Sequence, residues 1–170
     1  MMGRAFLIIG ALATLGLIAT GAQGYLVRGS GETGLMQHVF AALGACLAQL
    51  FAHCWILVYL WMTGRALRQE VAAQGLEASV LAPLEQTRAF AQPWILLAVV
   101  LGLGSFVLGG AVASGWAKAW MHHVLAGPAV VAQGWALWQE SRVLRASQAL
   151  IEEIDRRSPA DLAPVEGLAG

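Results

Sequence analysis

The chain has 170 residues, 58% of them hydrophobic and only 12% charged, and its mean hydropathy is +0.66. Soluble domains carry roughly 25% charged residues, so this composition excludes an ordinary soluble globule. Ten basic and ten acidic side chains balance, which removes the electrostatic basis for a nucleic-acid partner.

Four apolar runs follow one another along the chain. The first, residues 5–22, holds no charge and is long enough to cross a bilayer, for which about 20 apolar residues suffice. The rival reading is a cleaved signal peptide ending at Thr20-Gly21-Ala22. An uncleaved span is preferred, because the numbering starts at Met1 and three further spans follow. A glycine-rich polar turn with Arg28 and Glu32 leads to the second run, residues 35–63. Its helical pattern continues through Arg65, Arg68 and Glu70 to about Gln74, where Gly75 suits a left-handed stop. Residues 76–92 are amphipathic and contain Pro83, and the expectation is an interfacial connection of a short helix or two turns.

The third run, residues 93–114, opens on Pro93, a residue suited to a first helical turn. Its glycines 102, 104, 109 and 110 leave places where a neighbouring helix can approach closely. A short turn, Gly115 to Lys118, packs the fourth run, residues 119–138, antiparallel beside it. Gly127-Pro128 is expected to kink that run. Residues 139–157 keep helical character: Val143, Ser147, Leu150 and Ile154 share a face, while Glu140, Arg145, Glu152, Arg156 and Arg157 decorate the rest. Residues 158–170 read as a disordered tail. The fold expected is all-α: a polytopic, four-transmembrane-helix bundle built from two hairpins, with helices 2 and 4 extended into the cytoplasm by residues 64–74 and 139–157.

Basic residues near span ends give the orientation. Eight lie on the N-terminal side (Arg4, Arg65, Arg68, Arg88, Arg142, Arg145, Arg156, Arg157) and two, Arg28 and Lys118, on the other. Both termini are therefore expected in the cytoplasm of a cell with a bacterial-type inner membrane. Trp116 and Trp120 would anchor the outer interface, and Trp61, Trp94, Trp135 and Trp138 the inner one.

The second and fourth runs carry the same stripe at helical spacing. His38, Ala42, Ala45 and Gln49 match His122, Ala126, Ala129 and Gln133, each pair 84 residues apart. Phe6 and Phe90, Leu12 and Leu96, and Leu17 and Leu101 stand at the same offset, as in parallel repeats. Alanine matches are cheap in this composition; the His and Gln pairs carry the weight. Two imidazoles facing each other across a bundle are what a b-type haem with two histidine ligands requires. The expectation is one haem near the outer face, with His38 and His122 on the iron, His123 as the substitute ligand, and Ala42, Ala45, Ala126 and Ala129 making room for the porphyrin. His53 lies deeper. With Gln49 and Gln133 it forms a second polar level, read as a hydrogen-bonding partner, a single-ligand site or part of a quinone pocket.

Copper is the rival metal, because Met36 and Met121 stand beside the histidines and thioether with imidazole favours cuprous ion. Cys46 and Cys54 lack a zinc spacing and read as small buried hydrophobes. No acidic residue lies within a span, which argues against an ion-coupled transporter. No P-loop, nucleophile–base set or HExxH motif is present, so hydrolase and transferase readings have no support. The working function is an electron-transferring membrane subunit that meets lipid, other membrane subunits and a quinone. The alternatives are a cofactor-free accessory subunit of a respiratory or photosynthetic complex, and an assembly factor acting through its cytoplasmic helices.

Overall fold

The computed structural model describes residues 2–26 and 31–157, which form four long α-helices and one 3₁₀ turn. The helices are α1 (Met2–Leu26), α2 (Gly31–Ala73), α3 (Ala82–Ala113) and α4 (Ala119–Arg157), with the 3₁₀ turn at Ala78–Leu81. The turn around Arg28 and the C-terminal tail lie outside the described residues. Three helical stretches, Ala5–Leu26, Gly31–Ala73 and Ala78–Ala113, are long and apolar enough to cross a membrane. The fourth helix falls short of that measure, since its second half is charged and its first half holds His122, His123, Pro128 and Gln133.

α1 packs mainly on α2, and α3 mainly on α4. Contacts of α1 with α4 and of α2 with α3 close a ring, across which α2 and α4 touch at few places. The seam of α4 reads Ala129, Gln133, Ala136, Glu140, Val143, Ser147, Leu150 and Ile154, all buried. Alternating steps of four and three residues are the coiled-coil spacing, which keeps one face turned to its neighbours over many turns. On α2 the buried Gln49, His53, Ile56, Leu60, Leu67 and Val71 follow nearly the same rhythm.

The dense core sits at the end of the bundle nearest the α2–α3 connection. Ile56, Leu60, Leu67 and Val71 of α2 meet Leu84, Ala91, Ile95 and Ala98 of α3 and Val143, Leu144, Leu150 and Ile154 of α4 there. The opposite half is packed differently. No residue of α2 from Leu35 to Ala48, of α3 from Val99 to Ala113, or of α4 from Ala119 to Pro128 is fully buried. The outer surface also changes character along the bundle. Large exposed apolar side chains end at Met62 on α2, begin at Phe90 on α3, and end at Trp138 on α4 except for Ile151. Beyond those levels the surface carries Arg65, Arg68, Arg145, Arg156 and Arg157.

Both tight stops are made by glycine. Gly75 (φ +64°) and Gly115 (φ +78°) adopt the left-handed conformation that costs other residues energy. The amides of Leu76 and Trp116 reach back to the carbonyls of Val71 (3.0 Å) and Ala111 (2.8 Å). Gly75 and Gly115 bond the carbonyls of Ala72 (3.2 Å) and Val112 (3.1 Å), completing a Schellman cap at each helix end.

Three expectations need correction. Residues 76–92 are not a separate interfacial segment: only Ala78–Leu81 is distinct, and α3 already begins at Ala82. Pro83 starts that helix rather than breaking a segment, because the first turn needs no amide donor there. Pro93 lies inside α3, not at its start, whereas Pro128 lies inside α4 as expected. Both helices continue past their prolines, with Ala91 and Ile95 on one and Ala129 and Gln133 on the other held in the bundle. The cysteines are not buried hydrophobes: Cys46 is half-buried and Cys54 exposed.

Candidate functional site

The sequence points to two levels, and the structure builds them differently. At the upper level, His38 and His122 each sit against a glycine of the preceding helix. A Cβ at Gly24 of α1 would come within 3.1 Å of His38 Cε1, and one at Gly109 of α3 within 3.1 Å of His122 Cε1. His122 donates from Nδ1 to the Ser105 carbonyl at 3.1 Å, since a carbonyl only accepts. Its Nε2 therefore carries the free lone pair, the arrangement seen when a backbone oxygen fixes a ligating imidazole. His38 Nδ1 is buried with no hydrogen-bond partner among the described residues. His123 turns aside and stacks on Tyr25 of α1, with ring centroids 4.7 Å apart and planes at 12°. His38 and His123 are the titratable groups close to His122.

The alanines below these histidines separate. Ala45, with Ala41, Gly44 and Ala48, walls an open groove of about 700 Å³ between α1 and α2. Ala129 is buried, while Ala42 and Ala126 are partly covered. Met36 and Met121 are exposed. Among the described residues, no three His, Cys, Asp or Glu side chains converge as a metal-ligand set.

The lower level is a closed polar cluster centred on His53, which is fully buried. Gln133 donates from Nε2 to the Ala98 carbonyl (2.9 Å) and so turns Oε1 to His53 Nε2 at 2.6 Å. An amide oxygen only accepts, so His53 carries a proton on Nε2. Gln49 stands with Nε2 2.8 Å from the same ring nitrogen and Oε1 3.2 Å from Thr14 Oγ1. A donor cannot face a donor, so the two ends of that amide exchange roles. Its oxygen accepts from His53, its nitrogen donates to Thr14, and the Thr14 hydroxyl donates to the Gly10 carbonyl at 2.9 Å. Both glutamines therefore accept from one imidazole.

The other ring nitrogen decides the chemistry. His53 Nδ1 is 2.5 Å from Glu140 Oε1, and both side chains have 0% exposure. One proton lies between them, whether as imidazolium and carboxylate or as imidazole and carboxylic acid, and the pair is neutral in either form. Glu140 was expected on the solvated face of the α4 extension; that expectation is overturned. The signal was legible in the spacing: Glu140 lies three residues before Val143 and four after Ala136, on the seam itself. The absence of acid within the apolar runs therefore did not keep a carboxyl group out of the bundle.

The internal repeat survives in these contacts. Thr14 meets Gln49, and Ala98 meets Gln133, and both members of each pair differ by 84 residues (98 − 14 and 133 − 49). The dyad breaks the symmetry, since His53 matches Leu137 and Glu140 matches Ile56 at that offset. No family model matches the chain, and neither a curated protein nor a solved structure does.

Proposed function

We propose that the chain is an electron-transferring membrane subunit, a four-helix bundle of two hairpins that holds one b-type haem between His38 and His122. The observation that carries the reading is the matched pair of imidazoles on α2 and α4, each seated on a glycine of the helix before it. The donor set suits the group: His122 presents Nε2 with its proton fixed on the far nitrogen, and His38 keeps a buried nitrogen without a partner. When bound, the haem would supply one-electron exchange at a potential set by its axial ligands and burial. His123, stacked on Tyr25, would border the site or replace His122. Copper suits the residues less well, because the thioethers of Met36 and Met121 are exposed.

The same reading places the bundle in a bacterial-type inner membrane with both termini in the cytoplasm. Support comes from the eight-to-two bias of basic residues, and from the levels of Met62, Phe90 and Trp138, where the apolar surface gives way to charge. The subunit would exchange electrons with other membrane subunits or a quinone.

The test is a reduced-minus-oxidised spectrum of detergent-purified protein, with pyridine extraction to count haem. About one low-spin b-type haem per chain, lost from His38→Ala and from His122→Ala, supports the reading. Full haem retention in both variants overturns it. Folded, colourless protein from haem-supplied cells moves the assignment to a cofactor-free accessory subunit.

A further inference from the structure

The His53–Glu140 dyad has unequal surroundings. On one side Ile56, Leu60, Ala136, Val143 and Leu144 make a packed apolar core. On the other, a cavity with room for about one water lies against His53, Gln49, Gln133, Cys46 and Gly102.

An ion pair that only locks a bundle together engages its remaining lone pairs, because a half-satisfied buried network is worse than an apolar one. This one does not. Glu140 Oε2 and both amide atoms of Gln139 are buried without a partner among the described residues. Gln139, like Glu140, has 0% exposure. Two amide oxygens, from Gln49 and Gln133, converge on the His53 Nε2 proton. The groups facing the dyad are few: Thr14 from α1, Cys46 and Gln49 from α2, the Ala98 carbonyl from α3, and Gln133 from α4. Among the described residues Cys46 is the one other titratable group there, and no Lys, Arg or Asp is present.

We propose that the His53–Glu140 pair is a proton-exchange site, which takes a second proton on the buried, unpartnered Glu140 Oε2. In the resting state one proton is shared between Nδ1 and Oε1 and the pair is neutral. Uptake leaves Nδ1–H donating to Oε1 and places the incoming proton on Oε2, so the site becomes an imidazolium beside a carboxylic acid, with a charge of plus one. Release reverses both steps, and no electron moves. The proposal stands whether or not those histidines carry a haem.

The experiment is infrared difference spectroscopy of the full chain in lipid vesicles, taken from about pH 9 to about pH 4, the range that covers ordinary carboxyl and imidazole titration. The expected result is a carboxylic-acid carbonyl band that grows on acidification, shifts in D₂O, and is missing from Glu140→Gln. Histidine ¹⁵N spectra of the unmodified sequence give a second reading: His53 Nε2 stays protonated throughout, and Nδ1 moves to the imidazolium position with the band. A pH-invariant carbonyl region, or a titrating band that survives in Glu140→Gln, would overturn the proposal and leave the dyad a fixed lock.

Discussion

At the scale of single residues, the pairing of His53 with Glu140 dominates. Removing one partner of a buried pair strands the other, at a cost of about 3–5 kcal/mol, whereas replacing both with apolar side chains is often close to neutral. Glu140→Leu should therefore destabilise the protein by about that amount, and His53→Leu/Glu140→Leu should recover most of it. Unfolding in detergent checks this; a double variant no better than the single one would mean that the two side chains are not energetically coupled. The glycines at the upper level make a second case. A Cβ at Gly109 meets the His122 ring at 3.1 Å, so Gly109→Val should displace that ring. On the haem reading, haem content per chain falls several-fold while helicity by circular dichroism is unchanged. Gly64 is a contrasting position. A Cβ there would strike the Arg88 guanidinium, which is the mobile end of a long side chain. Gly64→Ala should accordingly cost under about 1 kcal/mol, because Arg88 can swing towards solvent.

At the scale of elements, the joint between α2 and α3 depends on Gly75. Its φ of +64° serves a cap that satisfies two carbonyls of α2. Gly75→Ala should lower stability by about 1 kcal/mol and Gly75→Asn by less, since asparagine tolerates the left-handed region better. Equal effects of the two substitutions would show that the cap conformation is not what matters there. The long α4 follows a similar logic of local order and distant purpose. Its charged half is helical by propensity, yet it is held by Val143, Leu144, Leu150 and Ile154 against α2 and α3. A chain ending at Trp138 loses that core and Glu140 together and should fail to accumulate in membranes, as immunoblotting of the membrane fraction would show.

At the scale of the whole molecule, the bundle has two unlike halves. One is an apolar three-helix core sheathed by charged surface; the other is loosely packed, sheathed by exposed apolar side chains, and carries the paired histidines. The proposed orientation, with a membrane around the second half and both termini inside, makes a topological prediction. In a background with Cys46 and Cys54 replaced by alanine, a cysteine at Lys118 should react with an impermeant maleimide from outside intact cells. One at Glu152 should react only after the cells are opened. The reverse pattern would invert the assigned orientation.

The helices themselves were legible in the sequence, because an α-helix closes its hydrogen bonds within a few residues and its buried face repeats every three or four. The periodicity of α4 even contained Glu140, between Ala136 and Val143. Only the tertiary structure decided what that position means. Two of the three partners of His53, Gln133 and Glu140, lie 80 and 87 residues away in the chain, and no local rule states which seams of a helix bundle will face each other. The proton on His53 is likewise settled by the Ala98 carbonyl on a third helix, through the orientation it imposes on Gln133. Composition and spacing determined that this chain makes long apolar helices with matched histidines. Packing decided that a carboxyl group from the charged segment closes over the imidazole, because burying a polar side chain is tolerable only where a partner meets it.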